Sequence, residues 1–152
     1  QAVPLAERLH ALQVPGRRHH DAGGPRDRLE DHRGDGARAL ELDESYGDGA
    51  IHSFLITYEM GRPGAAGDPV ARSRQHFQQA LSLSRTNSAA PFVALAEAVT
   101  IQKQDLKEFE SLLNQALAIN PDAVPENRLL NTVMQRRARW LLSRKSELFL
   151  IE

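Results

Sequence analysis

From residue 37 onward, apolar positions recur with the period of an α-helix, and no segment alternates as a half-buried strand would. "ARALELDE" (37–44) reads as the closing turns of a helix. After the glycine-rich "SYGDGA", Asp48 is the expected N-cap, and Ile51, Phe54, Leu55 and Tyr58 fall on one helical face. Gly61 and the "GRPGAAGDP" loop end that helix. Asp68 and Pro69 suit an N-cap and first helical position, and the helix they open carries Phe77, Ala80, Leu81 and Leu83. "RTNS" (85–88) breaks it, with Asn87 or Ser88 expected to cap the next helix. Pro91 is tolerated in that helix's first turn, and Phe92, Leu95, Ala96 and Val99 are its inward stripe. Asp105 and Glu108 make a capping-box-like pair ahead of Leu106, Phe109, Leu112, Leu113, Ala116 and Leu117. Beyond the "NPDAVPE" turn, a last helix spans Pro125 to Lys145, with Leu130, Val133, Met134, Trp140 and Leu141 as its expected buried side.

Three helix ends share a pattern: "ARALELDES", "FQQALSLSR" and "LNQALAINP". Superimposing Ala39, Ala80 and Ala116 puts leucine next and an apolar residue two positions further on, at spacings of 41 and 36 residues that suit helix-pair repeats. Phe77 and Leu113 both precede the alanine by three, and Pro121 follows the last copy. These positions resemble the second helix of a tetratricopeptide repeat, where a small alanine lets helices approach and proline stops the helix. Ser73 and Phe109 stand where that repeat prefers alanine, and a plain helical bundle remains the other reading.

Composition divides the chain near residue 36. From Pro15 to Gly36 only Ala22 and Leu29 are apolar, too few to build a core. Every residue from Gln1 to Glu44 belongs to ten types whose codon sets include ones starting with C or G, and Ser45 is the first exception. Residues 1–36 are therefore expected to be a disordered low-complexity segment or a stretch of GC-rich DNA read in the wrong frame, with residues 37–152 as the helical-repeat domain. A chain that starts at Gln1 reads as a fragment or a processed form. The 19 basic and 20 acidic residues nearly cancel, so no global field favours nucleic acid or an anionic membrane. The lack of cysteine removes thiolate nucleophiles, zinc–thiolate clusters and disulfides, and leaves the compartment open.

Local motifs give little chemistry. His19, His20, Asp21 and His32 offer metal-ligand types, but a site needs a scaffold and outer-shell partners that this stretch cannot bury, so no metal is expected. As a nucleic-acid arm the segment lacks aromatics, and acids offset its arginines. "DESYGDG" imitates the start of a calcium loop without the glutamate at the twelfth position, and "GRPGAAGD" lacks the G-K-[ST] ending of a phosphate loop. There is no G-x-S-x-G and no H-E-x-x-H. No catalytic residue and no cofactor are expected. Phe54, Phe77, Phe92 and Phe109 are expected in the core.

Taken together, "ALELDESYGDGAIHSFLITYE", "ARSRQHFQQALSLS", "PFVALAEAVTIQKQDLKEFESLLNQALAINPDAVPENRLLN" and "QRRARWLLSRKSELF" resemble the T component associated with tripartite ATP-independent periplasmic (TRAP) transporters, over Ala37 to Phe149. The resemblance implies an all-α, tetratricopeptide-like right-handed solenoid, here truncated or disordered at its N-terminus. It further implies a non-enzymatic, periplasmic protein, usually a lipid-anchored one, that works with the transporter's substrate-binding protein. This chain has no cysteine to carry the lipid. The alternative is a module holding a small hydrophobic or organic-acid ligand in a groove, and a homo-oligomer is compatible with either.

"QRRARW" matches a recurrent signature of that family, with Arg136 and Arg139 three apart on one face and Gln135 adjacent. Their guanidinium forks suit an acidic partner surface or a ligand carboxylate. Arg144 and Lys145 read instead as a solvated face near the helix C-terminus. His52, Tyr58 and Glu97 are further candidates for lining a groove, against the plainer role of polar residues at helix interfaces. A closed pocket lined by Phe54, Tyr58 and Phe92 would favour ligand carriage, and an exposed apolar patch on the rim would favour docking.

Overall fold

The computed structural model describes residue 36, residues 38–62 and residues 64–150. The expectations for the segment before residue 36, including His19, His20, Asp21 and His32, lie outside the described residues. Among those described, every regular element is helical. They are α1 (38–43), α2 (Tyr46–Gly61), α3 (Pro69–Leu83), α4 (90–103), α5 (Leu106–Ala118), α6 (Arg128–Ser143) after a 3-10 turn at Pro125–Asn127, and α7 (Lys145–Leu148).

Helices α2 and α3 pack antiparallel, as rising positions on one meet falling positions on the other: His52 meets His76, Ile56 meets Ser73, and Glu59 meets Arg72. Ser73, where a tetratricopeptide repeat would prefer alanine, is fully buried and donates to the Ile56 carbonyl at 2.8 Å. Asp48 is not the N-cap of α2. Gly47, Asp48 and Gly49 all have positive φ (58°, 53° and 86°), and the Asp48 carboxylate accepts from Asn127 Nδ2 at 2.9 Å. The glycine at 49 answers a close approach, because a Cβ there would sit 3.2 Å from Ala80 Cα and from Leu83 Cβ. The buried face of α2 is His52, Leu55, Ile56 and Glu59, and Phe54 is 63% exposed rather than in the core. The apolar period alone pointed to Phe54, whereas polar partners on α3 draw His52 and Glu59 inward.

At α3 the expectation holds: Asp68 accepts from the Val70 and Ala71 amides at 3.1 and 3.3 Å, with Pro69 behind it. Phe77 and Ala80 enter the core, where Phe77 meets Phe92 edge-on at 5.5 Å. Helix α4 buries Phe92, Val93, Leu95, Ala96 and Val99. It carries a π turn at Ala96–Thr100, where the Thr100 hydroxyl donates to the Ala96 carbonyl at 2.6 Å. Its N-cap position is Ala89 rather than Asn87 or Ser88, although the Ser88 hydroxyl accepts from the Ala90 amide at 3.4 Å. The Ala89 amide donates instead to Asn131 Oδ1 of α6 at 2.8 Å. At the start of α5, Asp105 accepts from the Glu108 amide at 2.9 Å, but the Glu108 carboxylate turns to Arg74 of α3 at 2.6 and 2.8 Å, leaving half a capping box. The backbone groups that Gln135 reaches near the end of α5, and the Lys145–Glu110 pair at 2.7 Å, show α5 and α6 antiparallel.

Helix α6 departs furthest from expectation. Its buried residues are Asn131, Gln135, Ala138 and Leu141, while Leu130, Val133 and Trp140 face outward. Two amides, Asn131 and Gln135, satisfy open helix ends, and this fixes the rotation of α6 against the apolar pattern.

Candidate functional site

Rotated in this way, α6 presents an apolar stripe to solvent. Leu129 is 77% exposed, Val133 48% and Trp140 46%, at helical spacing on one face with Leu130 beside them. Arg136 lies on the same stripe between Val133 and Trp140, and Arg139 is one turn along from it; both are exposed, and among the described residues neither makes an ion pair. The neighbouring cations are engaged. Arg137 pairs with Glu97 of α4, its Nε 3.0 Å from Oε1, and lies over the Trp140 ring at 4.4 Å; Arg144 lies 5.7 Å from that ring and pairs with Glu147. The ring is thus held by cations on an open surface rather than packed inside.

Gln135 is buried. Its Nε2 points to the carbonyls of Ala116, Leu117 and Ile119 at 3.1, 3.4 and 2.6 Å, closing the C-terminal end of α5. It therefore sets the rotation of the helix that displays Arg136 and Arg139. Glu97 is half-buried, and its carboxylate holds Arg137.

His52 and Tyr58 belong to a second cluster on α2 and α3. His52 is 3% exposed, with Nδ1 2.8 Å from His76 Nδ1 and Nε2 3.0 Å from Glu44 Oε1. Glu59 is buried beside them and accepts from Arg72 at 2.5 Å and from Arg62 at 3.0 Å. Burial would raise its carboxyl, but the Arg72 and Arg62 guanidinium groups outweigh burial and hold it below its ordinary value. Tyr58 lines a cleft of about 170 Å³ with Leu40, Leu55, Arg62 and His76. Phe54 stacks on Tyr58 at 6.0 Å from outside, and Phe92 lines a different, open groove of about 490 Å³ with Asn87, Gln115 and Ile119. The three aromatics do not share one pocket.

His76 and Glu59 were not singled out by the sequence. The signal was present for His76: Ser73, Phe77 and Ala80 repeat at helical spacing, and His76 borders that face. Glu59 has a local mark in Arg62 three residues on, but its closer partner, Arg72, comes from the next helix.

Residues 36–149 match the family described as the TRAP transporter T-component. The chain belongs to this family. Among curated proteins it is similar to an uncharacterized protein of Treponema pallidum (strain Nichols), 30% identical over 113 residues, which cover 74% of this chain and 35% of the relative. The chain thus spans about a third of that relative's length. The family's description is of a component of TRAP transporters. Among the described residues, no helix is long and apolar enough to cross a membrane.

Proposed function

We propose that this T component is a non-enzymatic scaffold that docks the periplasmic substrate-binding protein of its TRAP system on the outer face of α6. The observation that carries the reading is the exposed Leu129–Val133–Trp140 stripe with Arg136 set into it and Arg139 beside it, both without carboxylate partners among the described residues. An apolar strip gives area to bury, and two available guanidinium groups give orientation by pairing with carboxylates on the partner's rim. Trp and Arg are the side chains that most often dominate such interfaces. The substrate-binding protein as partner, a periplasmic location and a lipid anchor all belong to this same proposal, which membership of the T-component family supports.

The helix pairs α2–α3 and α4–α5, with Ala80 and Ala116 buried at equivalent places in their second helices, support a tetratricopeptide-like solenoid in which α6 opens a further pair. A small-ligand role has one observation in its favour, the cleft beside Tyr58, Arg62 and His76, whose about 170 Å³ suits a short organic acid more than a large hydrophobic molecule. Docking is tested by placing a photo-cross-linking amino acid at Val133 and, separately, at exposed Ser111 of α5. Cross-linking to the substrate-binding protein from position 133 and not from 111 is the expected result, and equal yields from both, or none from 133, would refute the α6 surface.

A further inference from the structure

We propose that His52 and His76 form a latch between α2 and α3, tied through Glu44 to the turn before α2, that accepts one extra proton and is broken by a second. The two Nδ1 atoms are 2.8 Å apart, the ring centroids 5.1 Å, and His52 Nε2 is 3.0 Å from Glu44 Oε1. An ionised carboxylate only accepts, so His52 Nε2 carries a hydrogen. In the neutral pair His52 Nδ1 is then a bare acceptor, and the hydrogen between the rings belongs to His76 Nδ1. One added proton, whether on His76 Nε2 or at His52, still leaves a single hydrogen between the Nδ1 atoms and makes that bond charge-assisted. A second proton puts hydrogens on both Nδ1 atoms. The contact then becomes two facing cations, one of them on a ring that is almost fully buried.

The surroundings relieve that repulsion only in part. Among the described residues Glu44 faces His52, from the turn before α2. Glu59 on α2 is already engaged by Arg72 of α3 and by Arg62 just after α2, two further positive charges nearby. From α1 the cleft receives Leu40, and from α2 Tyr58, and neither brings a carboxylate. The only carboxylate on α4, Glu97, pairs with Arg137. Burial and the neighbouring His52 together keep His76 below its ordinary value of 6.5, against a smaller opposing effect of Glu59. No metal reading competes, because Glu44 lies on the opposite ring nitrogen from His76 and the donors do not converge on a point. Since His76 also lines the cleft beside Tyr58, breaking the latch alters that cleft.

The test is nitrogen-detected NMR of the imidazoles in the whole chain between pH 8 and 4.5, with His52→Gln and His76→Gln spectra assigning the signals among the six histidines. At pH 8 the expected pattern is an Nε2–H tautomer for His52 and the less usual Nδ1–H tautomer for His76. On acidification the pair should titrate in two steps separated by roughly one pH unit or more. Amide exchange in α2 should accelerate with the second step and stay slow through the first. Glu44→Gln, which keeps size and removes the charge, should loosen the His52 tautomer preference and so tests the latch if His76→Gln does not fold. Two independent titrations near 6.5 with α2 exchange unchanged, or the Nε2–H tautomer on both rings at pH 8, would overturn the proposal.

Discussion

Asn131 of α6 holds the start of α4 on both sides: its Oδ1 accepts from the Ala89 amide, and its Nδ2 donates to the Asn87 carbonyl, each at 2.8 Å. A helix start has unsatisfied amides, and here a side chain 42 residues away satisfies one of them inside the core. Asn131→Ala removes both bonds and leaves buried backbone groups open, which should cost about 2–3 kcal/mol in urea unfolding. Asn131→Asp keeps the acceptor and loses the donor, so an intermediate loss is expected.

That residue also marks how far the sequence was legible. Helices α3 and α5 were readable because their apolar stripes and Asp caps are local, and Asp68 and Asp105 act where the pattern placed them. The α6 face was not, because its rotation is set by Asn131 and Gln135 reaching helix ends distant in sequence, with Leu129 and Val133 left outside. Arg136 and Arg139 were legible as a pair on one face, but their setting in an exposed apolar stripe depends on that rotation. The latch histidines needed the α2–α3 pairing before they met.

Gly49 combines φ of 86° with contact against α3. Gly49→Ala should therefore lower stability by about 1–2 kcal/mol from the left-handed backbone alone, with the crowding at Ala80 and Leu83 adding to it. Gly64→Ala, also at positive φ (69°) but with nothing near its added Cβ, is the control and should be milder in the same thermal melts.

Acid should destabilise the fold in two windows. His76, lowered in the folded state, contributes stability that is complete above its ordinary 6.5 and is lost as pH falls through its folded value. Glu59, lowered from 4.5, contributes stability present above that value and lost as pH falls further. Melting temperatures from pH 8 to 3 should decline in both ranges. Glu59→Gln should cost about 2 kcal/mol at pH 7 and flatten the lower decline, because the charge that Arg72 and Arg62 stabilise is gone. An unchanged low-pH profile in this variant would place the acid sensitivity elsewhere.

The α6 stripe should tolerate polar substitution. Leu129→Ser and Val133→Ser remove little buried area, so unfolding midpoints should move by no more than about 0.5 kcal/mol, while binding to the substrate-binding protein weakens. Comparable losses of stability would mean that the stripe is a packing surface and not a docking one.

The most direct measurement is calorimetric titration of the chain with the substrate-binding protein of its own TRAP system, at low and raised salt. Saturable binding is expected, weakening with salt and falling by tenfold or more in the Arg136→Ala, Arg139→Ala double variant while its helicity and melting temperature stay those of the parent. Binding of undiminished strength in that variant, or no binding by a well-folded parent chain, would contradict docking through α6.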